Sequence, residues 1–384
     1  MTAPMPNDRG IFVLAVLMLL GVGVLMVYSA SVTSRPTDQQ TTYLTRHLAA
    51  LAVGGLVAIV AASLPSRFWR ATAIPLFLVS TLLLVGVLIP GVGTKVNGAW
   101  RWYRWGPVSF QPSELAKITL VLVLARLLAG RPEAGEGDER AGWWRRVGGF
   151  AVKPLPIALA CGLIVVEPDF GTALLVGVVG AMVLFLGGVP IRGLLLVGGL
   201  SLPVAALLAW QHPYVLDRVK GLHMVWSGDW SQAPYQMRQS LLALGSGGLF
   251  GVGLGKGWQK LSFLPEANTD FVFAVIGEEL GLVGTVTLVL LWIALFVGGT
   301  RMLRRVAHDR FAALVALTLL VQLVLQAMIN MAVVTALLPP KGIPLPLVSY
   351  GGSSLTMSLL AVGIILSLAK ADDRATGKTG YGRL

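Results

Sequence analysis

The 384-residue chain carries only 18 acidic side chains, few enough to weigh one by one for chemistry. Glu114 and Lys117 stand three residues apart in Gln111-Pro112-Ser113-Glu114-Leu115-Ala116-Lys117. That spacing puts a carboxylate and an ammonium on one helical face, and charges at membrane depth pair with each other or line a cavity. The plainer alternative is a Lys117 that snorkels to the interface beside a helix-start acid. In Glu167-Pro168-Asp169-Phe170-Gly171, Asp169 is placed either to face a substrate or to cap the next helix through the Gly171 or Thr172 N–H. Pro265-Glu266-Ala267-Asn268-Thr269-Asp270-Phe271-Val272-Phe273 sets two acids before an apolar run. A carboxylate held at a membrane surface among aromatic rings is suited to general-base work. Equally, Thr269 or Asp270 reads as an ordinary N-cap. Glu278 and Glu279 are adjacent, so at most one points at any cavity.

Other residue types narrow the chemistry further. Cys161 is the one cysteine, and His47, His212, His223 and His308 match no metal-ligand spacing, so redox, zinc and haem chemistry find no support. The glycine runs 245–248 and 251–257 lack the Gly-x-x-x-x-Gly-Lys-Ser/Thr pattern of a phosphate-binding loop. Their expected use is to let backbone approach a lipid or sugar closely. Pro339, Pro340, Pro344 and Pro346 forbid a helix and predict a rigid extended loop. Ser349, Ser353 and Ser354 then supply hydroxyls where the last helix begins.

The elements that position these groups are membrane helices. Hydrophobic residues form 55% of the chain and charged ones 12%, with a mean hydropathy of +0.76. So few charges cannot coat a water-facing surface. The fold class expected is an all-α polytopic membrane protein of about ten helices, at 11–30, 48–64, 71–90, 112–130, 153–167, 171–189, 192–210, 275–299, 310–337 and 348–369. The first run is too long for a signal-peptide core of about 7–15 residues. Lys and Arg outnumber Asp and Glu by 30 to 18. In a membrane chain this excess reports topology rather than nucleic-acid binding. Placing the N-terminus inside puts Arg67, Arg70, Arg126, Arg301, Arg304 and Arg310 on the cytoplasmic side, so both termini are expected there. Residues 131–147 read as a cytoplasmic connector. Residues 211–274, with Trp226, Trp230 and Trp258, read as an external cap between helices seven and eight. The whole chain, 1–384, is expected to form a single transmembrane domain.

These segments together resemble the SEDS family of bacterial cell-envelope proteins over nearly the whole length. The resemblance is carried by Asn97-Gly98-Ala99-Trp100-Arg101-Trp102, the run at 111–117, Glu167-Pro168-Asp169-Phe170-Gly171-Thr172, and Gln239-Ser240 with Gly245-Ser246-Gly247-Gly248-Leu249. It continues through Leu264-Pro265-Glu266 with Thr269-Asp270-Phe271, and closes on Gly-Ile-Pro-Leu-Pro with Ser-Tyr-Gly-Gly-Ser-Ser at the end. The compact segment 253–261 and Lys341 before Gly342 favour the FtsW branch over the RodA branch. Two positions depart from the family: Asn268 stands where His is commoner, and Glu167 where many members have Gln.

The resemblance implies a peptidoglycan glycosyltransferase that polymerises lipid II in the bacterial inner membrane, for septal or lateral wall synthesis. Asp270 would be the essential acid, with Glu114, Lys117, Asp169, Glu266, Ser349 and Ser353 supporting the substrate. Arg101, Lys117, Lys260 or a divalent cation such as magnesium or manganese would stabilise the departing pyrophosphate. No other cofactor is implied. The expected partners are a class B penicillin-binding protein transpeptidase and other membrane proteins of the division or elongation complex. Two other classes of function fit a bundle with buried charges: a lipid II flippase and a non-catalytic scaffold. A transporter would show paired half-repeats with matching helix interruptions, and none is seen in the sequence. A scaffold has no need of the outer acids.

Overall fold

The structure is a computed structural model and describes residues 8–31, 38–96, 98–106, 108–129, 153–211, 213–261, 263–306 and 308–370. The connector 131–147, Asn97 and both chain ends lie outside the described residues. Each expected span falls on one helix. These are α1 (Asp8–Ser31), α2 (Asp38–Ser63), α3 (Ser66–Val87), α4 (Pro112–Ala129), α5 (Leu155–Val166), α6 (Phe170–Leu186) and α7 (Ile191–Gln211), then α10 (Val272–Leu303), α11 (Arg310–Val334) and α12 (Gly352–Ala369). Among the described residues, six helices, α1, α2, α3, α10, α11 and α12, are both long and apolar enough to cross a bilayer. α4 carries Glu114, Lys117 and Arg126 within its 18 residues. α5 has 12 residues, a rise of about 18 Å that falls short of the hydrocarbon thickness.

Two features add to the expected bundle of helices. Residues 94–110 form a three-stranded antiparallel sheet of β1 (Thr94–Val96), β2 (Ala99–Trp105) and β3 (Val108–Phe110), in the order β1-β2-β3. Aromatic residues run through Trp100-Arg101-Trp102-Tyr103-Arg104-Trp105, and such side chains favour a pleated, half-buried surface. The segment 211–274 holds two further helices, α8 (Pro213–Trp226) and α9 (Tyr235–Ser246).

The chain divides into two compact units. The first comprises Met1–Val53, Leu195–Gly299 and Leu323–Ser358; the second comprises Gly54–Leu194, Thr300–Gln322 and Leu359–Leu384. In the second unit α4 is buried almost all round, and its two buried charges, Glu114 and Lys117, pair with each other. Ser80 and Thr119 hydroxyls meet at 2.7 Å between α3 and α4. The Tyr103 hydroxyl donates to the Leu83 carbonyl at 2.8 Å, fastening the sheet to α3.

In the first unit α10 is not continuous. Gly281 takes φ 66 and ψ −159, which removes the helical bonds that the Glu278 and Glu279 carbonyls would accept from Leu282 and Val283. The glycine-rich segment after α9 replaces them. Val252 and Gly253 donate to the Glu278 and Glu279 carbonyls at 2.9 and 3.1 Å, while Leu282 and Val283 donate to Gly248 and Leu249 at 2.9 and 3.1 Å. A Cβ at Gly247, Gly251 or Gly281 would collide with this backbone. These glycines serve an approach of chain to chain, in place of the expected approach to a lipid or sugar.

Candidate active site

The turn before α10 presents Asp270, half-buried. It is built from its own backbone and from two neighbours. The Glu266 carbonyl accepts from the N–H groups of Thr269 and Phe271 at 3.1 and 3.2 Å, with Glu266 itself in the left-handed region at φ 56. On the α11 side, Asn330 Nδ2 donates to the carbonyls of Asp270 at 2.7 Å and Ile343 at 2.9 Å. Gln326 donates to the Pro344 carbonyl at 3.1 Å. On the proline-rich side, the Ser349 hydroxyl donates to the Thr269 carbonyl at 2.5 Å and accepts the Leu345 N–H at 2.8 Å. Tyr350 N–H donates to the Asn268 carbonyl at 2.9 Å. The extended loop expected from the prolines thus braces the acid. Gly342 faces the carboxylate so closely that a Cβ there would stand 3.3 Å from Asp270 Oδ2. Beside it, Lys341 is partly buried, which lowers its ammonium below the usual lysine range.

Of the other candidates in this unit, Glu266 is exposed, and its carboxylate accepts the Thr269 hydroxyl at 2.9 Å. Ser353 is buried in the first turn of α12. Lys260 requires a correction. Its ammonium is fully buried, paired with Glu279 at 2.6 Å, and it donates to the Ser29 carbonyl and hydroxyl at 2.9 and 3.0 Å. A lysine so enclosed does not meet a pyrophosphate. It neutralises an acid whose carboxylate also accepts the Gly255 and Gly257 N–H groups at 3.1 and 3.4 Å. Glu278 does the same for Trp258 and Gln259 at 2.7 and 3.2 Å. Both adjacent acids therefore hold the glycine-rich segment.

The second unit gathers the remaining candidates. Glu114 and Lys117 pair at 2.8 Å, both buried. Gln111, one turn earlier, donates to Asp169 Oδ2 at 3.5 Å. Asp169 caps α6 by accepting the Thr172 N–H at 3.1 Å, one of the two bonds expected from the sequence. Arg101, on β2, lies 3.7 Å from Asp169 and donates to the carbonyls of Glu167 at 3.1 Å and of Pro168. Its side chain keeps 28% exposure, which leaves it room for a second partner.

Glu167 occupies the turn after α5. It is fully buried, and neither carboxyl oxygen has a partner among the described residues. Burial, with Asp169 adding to it and Arg101 opposing, pushes its carboxyl up to about 9; the side chain is a neutral acid at pH 7.

The sequence reading missed Asn330, Gln326 and Gln111. Their signal was present: Gln322, Gln326 and Asn330 recur every fourth residue inside an otherwise apolar α11. Polar side chains on one face of a spanning helix mark partners inside the protein. Among the described residues no three His, Cys, Asp or Glu side chains cluster to hold a metal.

Comparison with known proteins gives the family. Residues 10–374 match the family model of FtsW, RodA and SpoVE, described as cell cycle protein. The chain is 40% identical over 365 residues to a probable peptidoglycan glycosyltransferase FtsW of Coxiella burnetii, covering 93% of this chain and 95% of that one. It is 40% identical over 363 residues to a protein of the same description in Legionella pneumophila, covering 92% and 89%. Among solved structures, a chain from a peptidoglycan synthase complex coordinating polymerization and crosslinking superposes with a TM-score of 0.73 at 29% identity, covering 94% of this chain and 96% of that one. The rod shape determining protein RodA of Thermus thermophilus gives 0.66 at 32% identity, covering 94% and 96%.

Proposed function

We propose a function from one premise: the chain belongs to the FtsW, RodA and SpoVE family of cell cycle proteins. It is a multi-pass membrane peptidoglycan glycosyltransferase. Its substrate is lipid II, and the FtsW descriptions of its relatives favour septal synthesis. The observation that carries the mechanism is the bracing of the Asp270 turn from α11 and from the proline-rich loop. A catalytic carboxylate must be held in a fixed position, and the bonds that fix it here run to its main chain and to the adjoining residues.

Asp270 takes the proton from the acceptor sugar hydroxyl as that oxygen attacks the anomeric carbon of the donor. The new glycosidic C–O bond forms as the C–O bond to undecaprenyl pyrophosphate breaks. An α-linked donor giving a β-linked product requires inversion, and hence direct displacement without a glycosyl-enzyme intermediate. Of the cations named for the leaving pyrophosphate, Arg101 keeps a partly exposed side chain, while Lys117 and Lys260 are committed to buried pairs.

The active face is external and both termini are cytoplasmic, as the distribution of arginines supports. The partner is a class B penicillin-binding protein transpeptidase, working with other division-complex membrane proteins. The relative solved in a peptidoglycan synthase complex supports this reading. Purified protein given lipid II in detergent is expected to form polymer, and more of it with the partner present. Lipid II movement across liposomes without polymer in either assay would overturn the proposal in favour of a flippase. Neither activity would leave a scaffold.

A further inference from the structure

Residues 247–261, between α9 and the turn that carries Asp270, form a loop whose backbone and side chains face opposite ways. Its amides turn inward. Gly251 donates to Gly247 at 2.7 Å and Lys256 to Gly253 at 3.1 Å, while Val252 and Gly253 bond the carbonyls freed by the break in α10. Gly255, Gly257, Trp258 and Gln259 donate to the carboxylates of Glu279 and Glu278. Its apolar side chains turn outward: Phe250 is 80% exposed, Trp258 70%, Leu249 63% and Leu254 48%. A loop in water can leave its amides to solvent and hides its apolar groups. This one does the reverse, which is what a membrane demands of irregular backbone.

The position of the loop along α10 agrees. The exposed apolar row Leu282, Val283, Val286, Leu290 and Ile293 runs along a helix that spans the bilayer. It continues onto Leu249 and Phe250 through the Leu282–Gly248 and Val283–Leu249 bonds. From Gly281 to Arg301 the helix rises about 30 Å, the thickness of the hydrocarbon layer. With Arg301 and Arg304 at one boundary, the loop bonded to Leu282 and Val283 lies at the other. Its charge fits that boundary as well: no acid occurs between Asp229 and Glu266, and Lys256 is the one charged side chain among the exposed residues of 248–258. Aromatic rings with a cation are the composition of an interfacial element.

We infer that Leu249, Phe250, Leu254 and Trp258 insert among the lipids of one leaflet, with Lys256 at the phosphate headgroups, making this loop a membrane anchor. The inference rests on α10 spanning the bilayer and is independent of the glycosyltransferase reading. The proposed topology supplies only the identity of the leaflet, the outer one.

The test uses the full chain in liposomes of phosphatidylethanolamine and phosphatidylglycerol. Phe250→Cys, Leu290→Cys and Ser227→Cys, each on a Cys161→Ala background, carry a nitroxide label. Its collisions with oxygen, which partitions into lipid, are compared with those of a water-soluble nickel chelate. Position 250 is expected to favour oxygen several-fold, as position 290 does, while position 227 favours nickel. Nickel-dominated collisions at 250 would overturn the inference. So would low access to both reagents, the mark of a surface covered by protein. A second measurement avoids the cysteines: Trp258→Phe should reduce the fluorescence quenching produced by lipids brominated on their acyl chains. Unchanged quenching would count equally against the anchor.

Discussion

Asn330 holds Asp270 through the main chain. Its Nδ2 donates to the Asp270 carbonyl at 2.7 Å and, with its other proton, to the Ile343 carbonyl at 2.9 Å. One amide thus ties the acid's turn to the loop that faces it. Asn330→Leu strips the half-buried Asp270 carbonyl and the buried Ile343 carbonyl of this donor, at up to about 1–3 kcal/mol each. Polymerisation by this variant is expected to fall on the order of tenfold or more, mainly in kcat, because a positioned group is displaced and no substrate contact is removed. A loss confined to KM would speak against this role.

Asp270→Asn is nearly isosteric and keeps hydrogen-bonding capacity, so the turn survives while the base is lost. The expected loss of polymerisation is on the order of 10²–10⁴, with membrane insertion and melting temperature unchanged. Glu266→Gln is the matched control. The Glu266 carboxylate is exposed and accepts one hydroxyl, from Thr269, and a Gln side-chain oxygen can accept the same bond. Near wild-type activity for Asp270→Asn beside a dead Glu266→Gln would reassign the base.

Lys260→Met leaves the Glu279 carboxylate buried without its cation. Breaking such a pair costs on the order of 3–5 kcal/mol, read as a large fall in melting temperature in detergent. A lysine serving the pyrophosphate would give the opposite pattern, with melting unchanged and polymerisation reduced.

Glu167 gives the chain a pH signature. Its carboxyl, raised to about 9 when folded, stays protonated where the unfolded carboxyl has ionised. The folded state therefore binds the extra proton, and stability falls as pH rises from the unfolded value toward 9. Glu167→Gln removes the titration. It should melt higher than the parent chain at pH 9 and no higher at pH 4. Identical pH profiles for the two proteins would show that Glu167 ionises normally. The neutral acid also accounts for a Glu at a position where the family often has Gln, since both present an uncharged side chain of the same length.

Much of this architecture was readable in the residues. Apolar runs gave the helices, the Glu114–Lys117 spacing gave their pair, and the cap that Asp169 forms was one of its two readings. The break at Gly281 was hidden, because a glycine inside an apolar helix is tolerated and by itself is no signal. The trace it left was chemical: Glu278 and Glu279, two acids inside an apolar run, had to find donors, and Gly247, Gly251 and Gly257 were the residues that could bring backbone N–H groups close. Lys260 was misjudged because a sequence does not distinguish a cation that meets a substrate from one that neutralises a buried acid. The sheet of β1, β2 and β3 was hidden because Trp102 and Tyr103 stand side by side, which breaks the strict alternation that marks a half-buried strand.

The interrupted α10 also bears on how the protein is made. The groups that complete the break, from Gly248 to Lys260, precede Glu278 in the chain by about thirty residues or fewer, and Ser29 comes earlier still. All of them exist before α10 is synthesised. When Glu278 and Glu279 emerge, the amides and the ammonium that must receive them are already on the membrane side of the ribosome. The contacts with residues 248–260 are local and form quickly. Two acids that would be costly passengers in a nascent transmembrane segment thus arrive at a prepared berth. The order of synthesis does for insertion what the order of bonds does for the folded state.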